Sequence, residues 1–115
     1  MTPHDPVRLP SPDRVRSVPR SFGWLDVRLL NDDWLARLGP ESTAVLCLLV
    51  LAADRRGVSF YGRGRMAERL GLHRARLDAA LARLCALDLV AFAPWRPGHP
   101  DGVWQILPLP STGQL

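Results

Sequence analysis

The chain has no lysine; all 15 of its basic residues are arginine. That absence removes the phosphate-binding loop of nucleotide hydrolases. Such a loop needs a lysine and a longer glycine pattern than Gly62-Arg63-Gly64. Cysteine is scarce as well. Cys47 and Cys85 stand far apart in apolar helical patterns, make no CxxC and form no plausible zinc set with His4, His73 and His99. They are expected to be small core residues, reduced as in a cytoplasmic protein. Long hydrophobic runs are also missing. Met1-Thr2-Pro3-His4-Asp5-Pro6 lacks the apolar stretch of a signal peptide, and the longest apolar run, Ala44 to Ala53, is too short to cross a bilayer. Ser42, Ser59 and Ser111 have no partnered histidine in a recognisable motif, and Asp32-Asp33 reads as helix N-terminal charge rather than as a metal site. The expectation is a cytoplasmic, non-enzymatic chain with no metal, cofactor or membrane partner.

What is there suffices for one domain. Of 115 residues, 47% are hydrophobic, enough for one compact core of modest size. The net charge of +4 is unevenly placed. Residues 1–20 balance to +2, 21–57 to −1, 58–83 to +4 and the remainder to −1. Positive charge clustered on one segment and a tail suits a polyanionic partner, although a solvated surface accounts for such a segment equally well.

Pro3, Pro6, Pro10, Pro12 and Pro19 forbid helix in residues 1–20, which read as a flexible Pro/Arg-rich arm before a body spanning residues 21–110. Phe22-Gly23-Trp24-Leu25 reads as an extended apolar lead-in. Asn31 is placed to cap a short helix through Trp34, Leu35 and Leu38. Gly39-Pro40 breaks and restarts the chain. The helix from Pro40 to about Arg55 is apolar on nearly every face and is expected to lie centrally buried, with Gly57 as its left-handed cap. Val58 to Tyr61 reads as a short β-like step. A helix over about 63–70 buries Met66, Ala67 and Leu70, Gly71 makes a turn, and a helix over about 74–87 buries Leu77, Leu81 and Leu84. Two β-rich runs, Leu89 to Phe92 and Val103 to Leu107, flank a Pro/Gly loop and predict a hairpin. Trp24, Trp34 and Trp104 punctuate apolar segments and read as structural. Trp95, in the loop, is the tryptophan suited to exposure at an interface.

The stretch from Met66 to Leu84 resembles the helix-turn-helix of bacterial winged-helix regulators. In that family a small residue lets two helices approach, a glycine makes the turn, an apolar residue plugs the core and a small polar residue caps the second helix. Ala67, Gly71, Leu72 and His73 hold those places, with His73 where serine or threonine is usual. Cys85-Ala86-Leu87-Asp88-Leu89-Val90 resembles the run into the wing, with Asp88 for the usual glycine. The likeness covers roughly residues 40–107, and the stretch before it is similar to helix-turn-helix proteins of mobile and phage-like elements. It implies an α+β winged helix-turn-helix fold, mostly helical with a small antiparallel β wing, and double-stranded DNA as partner for a transcriptional regulator or mobile-element accessory protein.

The resemblance places the second helix in the major groove, N-terminal end first. Arg74 and Arg76 then face bases or phosphates, Arg63 and Arg65 hold phosphates from the helix before, Arg83 lies further along, and Arg96 and His99 serve from the wing. Ala75, Ala79, Ala82 and Ala86 are left on the outward face, where a DNA reader usually carries longer polar residues. Ala79 can meet a thymine methyl, and Asp78 beside it repels phosphate unless it accepts from a cytosine amine or pairs with a neighbouring arginine. Small residues also suit packing against another helix, so a winged-helix module that binds protein is the competing expectation. Such proteins frequently dimerise, through the apolar central helix or the Trp24 region in this chain.

Overall fold

The computed structural model describes residues 7–110. The first six positions of the expected arm lie outside them. Residues 7–20 are exposed apart from Ser11 and form a single 3-10 turn, Pro12–Arg14. The architecture is α+β. Among the described residues the order is α1 (Arg28–Asn31), α2 (Trp34–Ala52), β1 (Val58–Ser59), α3 (Arg63–Leu70), α4 (Arg74–Ala86), β2 (Val90–Pro94) and β3 (Gly102–Ile106).

Two expected helix boundaries move. Asn31 ends α1 instead of capping the next helix. The next helix starts at Trp34 behind a left-handed Asp33 that gives it no side-chain cap, while Asp26 Oδ1 accepts the Arg28 N–H at 2.9 Å at the start of α1. The central helix stops at Ala52, short of Arg55, because the Asp54 carboxylate accepts the N–H groups of Arg56 at 2.8 Å and Val58 at 3.0 Å. Gly57 is left-handed, φ +79°, but sits in that turn and does not cap the helix.

Gly39 breaks α2 with φ 79° and ψ 169°, and Pro40 restarts it. By length and composition the 19 residues of Trp34–Ala52 could cross a membrane. The kink limits the straight part, Pro40–Ala52, to roughly 20 Å at 1.5 Å per residue, short of the ~30 Å hydrocarbon core of a bilayer. Trp34, Leu38, Val45, Leu46 and Leu49 instead face the protein core. There they meet Met66 of α3, the Leu77, Ala80, Leu81 and Leu84 side of α4, and Trp104 of β3. Each such leucine contributes about 1.5–3 kcal/mol by leaving water. Cys47 and Cys85 are free and half-buried, and burial pushes the Cys85 thiol up, keeping it protonated.

The three strands form one antiparallel sheet in the order β1-β3-β2, with Phe92 opposite Trp104 and their rings stacked at 4.1 Å. Gly102 stands opposite Pro94, where a Cβ would lie 2.0 Å from the Ala93 carbonyl oxygen; only glycine fits.

The expectation for Trp24 fails: it is 75% exposed. Gly23 presses its backbone onto α2, so close that a Cβ would come within 2.8 Å of Val50 Cγ1. The neighbours on either side, Phe22 and Trp24, therefore turn outward. Leu25, Val27, Leu30 and Leu51 are exposed as well.

Candidate nucleic-acid interface

Helices α3 and α4 are joined by a tight turn. Gly71 is left-handed at φ +65°, the Leu72 N–H donates to the Ala67 carbonyl and the Gly71 N–H to that of Glu68. That paired bonding ends a helix and reverses the chain without loose carbonyls. Leu72 packs partly into the core. His73 occupies the N-cap of α4 with extended backbone, but its side chain makes no capping bond.

Helix α4 is two-sided. Leu77, Ala80, Leu81 and Leu84 are buried, whereas Ala75, Ala79, Ala82 and Ala86 are all exposed. His73, Arg74, Arg76 and Arg83 are exposed beside the alanines. Each of these three arginines has a partner within the chain. Arg74 Nε donates to Asp78 Oδ1 at 3.1 Å, and Arg76 Nη1 to Glu41 Oε2 at 2.8 Å. Arg83 donates through Nε to the Arg37 carbonyl at 2.8 Å. The Arg76 side chain stays 68% exposed, so its pair with Glu41 is weak and a phosphate competes with it readily.

Arg63 departs from its expected role. It is only 18% exposed along its side chain and is consumed inside the protein. Its Nη1 donates to Asp78 Oδ1 at 2.9 Å, its Nε to the Pro100 carbonyl at 2.6 Å, and its backbone N–H to Asp101 Oδ1 at 2.9 Å. The guanidinium lies 5.1 Å from the Trp104 ring centroid and 5.4 Å from that of Phe92. With Nε and Nη1 engaged and the side chain mostly buried, the guanidinium presents little to a phosphate. Arg65, exposed, lies over the Tyr61 ring at 5.4 Å, and Arg69 Nε donates to the Tyr61 hydroxyl at 3.0 Å.

Asp78, which the sequence sets beside the alanine face, is the shared acceptor of Arg63 and Arg74. Partial burial pushes its carboxyl up, but hydrogen bonds from both guanidiniums and their charge outweigh this and hold it below the ordinary carboxylate range.

The loop between β2 and β3 carries Arg96, exposed. His99 is half-buried, its Nδ1 accepting the Asp101 N–H at 2.9 Å, so it belongs to the loop's own structure. Trp95 is 55% exposed and stacks on Phe60, with ring centroids 6.0 Å apart and an interplanar angle of 9°. The roles of Asp101, Pro100 and Glu41 have no local signature. Arg63 meets Asp101 across 38 positions of sequence and Arg76 meets Glu41 across 35. Comparison with known protein families, curated proteins and solved structures finds no match.

Proposed function

We propose that this protein binds double-stranded DNA in the winged helix-turn-helix manner, the outer face of α4 entering the major groove and the β2–β3 loop acting as the wing. The observation that carries this reading is the bare side of α4. Among the described residues no element covers Ala75, Ala79, Ala82 and Ala86, and Arg74 and Arg76 flank them in the helix's first turn. Short side chains let the helix backbone approach base edges, and exposed arginines supply bidentate donors for guanine or phosphate. Arg65 and Arg96 extend the cationic surface. A regulatory or mobile-element role fits such a module. The test is a gel shift on double-stranded DNA with a salt titration. A DNA binder shifts at low salt and loses affinity linearly in the logarithm of salt concentration; no shift at low salt would refute the reading.

A second reading rests on a different surface. Phe22, Trp24, Leu25 and Leu51 are exposed around one open apolar hollow, with Val27 and Leu30 exposed close by in sequence. That surface favours a protein partner, whether beside DNA binding or in its place.

A further inference from the structure

Arg63 ties two separate parts of the fold, the β2–β3 loop and α4, through three different groups. Its backbone N–H, at the start of α3, donates to the Asp101 carboxylate. Its Nε holds the Pro100 carbonyl, and its Nη1 holds Asp78 on α4. The N-cap residue of α3, Gly62, has no side chain to cap with, and its Cα faces the Asp101 carboxyl, which a Cβ would approach to 3.5 Å. Asp101 therefore supplies the cap from the far end of the β2–β3 loop. The loop is tied in turn to its own strand ends, since the Asp101 carbonyl accepts the Trp95 N–H at 3.0 Å.

We infer that Arg63 is a positioning residue, a bracket that sets the β2–β3 loop against α4 so that both meet DNA as one rigid surface. The inference rests on the DNA-binding reading and deepens it: Arg63 contributes through geometry and donates to no phosphate. Only arginine can fill this role, because its planar fork donates in two directions at once while an ammonium acts as a single point charge.

The experiment uses the full chain with Arg63→Lys, Arg63→Gln and Asp101→Ala. Exchange of the Trp95 and His99 amides and DNA affinity across a salt series are measured, with melting followed to establish that each variant is folded. If Arg63 positions, all three variants raise exchange at both amides at least tenfold and weaken DNA binding severalfold. The slope of log affinity against log salt is then unchanged. Asp101→Ala separates the accounts most sharply, because it removes a negative charge. Charge alone predicts tighter binding of this variant, positioning predicts weaker. The inference is overturned if the loop amides stay protected in all three variants. It is also overturned if Arg63→Lys binds as wild type while Arg63→Gln loses about one unit of slope, the mark of a lost phosphate contact. Should the wild-type protein bind no DNA at any salt, the functional reading falls by itself, and amide exchange alone decides whether Arg63 brackets the loop.

Discussion

Asp88 stands at the end of α4 in the left-handed conformation, φ +64°, that Gly71 adopts at the end of α3, φ +65°. The bonding matches too: the Leu89 N–H donates to the Leu84 carbonyl and the Asp88 N–H to that of Cys85, as Leu72 and Gly71 do one helix earlier. A Cβ in this conformation costs about 1–2 kcal/mol, less for aspartate than for most residues, and the greater freedom of glycine in the unfolded chain offsets part of the gain. Asp88→Gly is therefore expected to stabilise the protein by about 0.5–1 kcal/mol. Urea unfolding checks this; a lower midpoint for the variant would show that the Asp88 carboxylate makes an unseen contribution.

That position shows what the sequence makes legible. The glycine-for-aspartate departure at 88 and the turn at Gly71 are local signals, and the dihedral angles fall where the pattern puts them. The limits of α3, the Gly39-Pro40 break and the inward leucines of α4 were readable for the same reason. What was not readable depends on contacts distant in sequence or on competition between neighbours. Asn31 closes α1 and leaves α2 to start behind a left-handed Asp33, and Asp54 ends the central helix before Gly57 can. Trp24 faces outward because Gly23, the smallest neighbour, makes the contact with α2. Arg63 looks like a surface cation from its spacing, yet Asp78, Pro100 and Asp101 converge on it from elements that no periodicity connects.

Leu81 is 1% exposed, between α4 and the central helix. Replacing it with alanine removes its transfer free energy and leaves a cavity, an expected loss of about 2–5 kcal/mol. Chemical denaturation measures this. A loss below about 0.5 kcal/mol would mean that α4 packs on a different side.

The Asp78 carboxyl lies below its ordinary range in the folded protein because Arg63 and Arg74 hold its charged form. A group depressed on folding adds stability above its unfolded pKa, about 3.9 for aspartate, and loses it as pH falls through the lower folded value. Wild-type stability should therefore fall more steeply below about pH 4 than that of Asp78→Asn, and the two curves should converge at strongly acid pH. Thermal unfolding followed from pH 6 to pH 2 checks the sign. Parallel curves would mean that neither arginine stabilises the carboxylate in solution.

The pairing of Arg76 with Glu41 gives the sharpest separation of DNA binder from protein binder. Glu41 holds the Arg76 guanidinium at 2.8 Å and, under the proposed DNA-binding reading, competes with DNA for it. If α4 enters the groove, Glu41→Gln frees Arg76, tightens DNA binding and steepens the salt dependence, whereas Arg76→Ala costs about 1–3 kcal/mol on the preferred site and less on random DNA. Ala79→Glu should abolish binding, because it drives a carboxylate into the groove beside Asp78, which Arg63 and Arg74 already neutralise. A partner protein docking on the alanine face predicts a different pattern. The Ala79→Glu change then breaks that complex, and Glu41→Gln alters no DNA affinity. Binding is read by fluorescence anisotropy and assembly by light scattering on the same preparations. If Ala79→Glu dissociates an oligomer while DNA affinity stands unchanged, α4 does not read DNA.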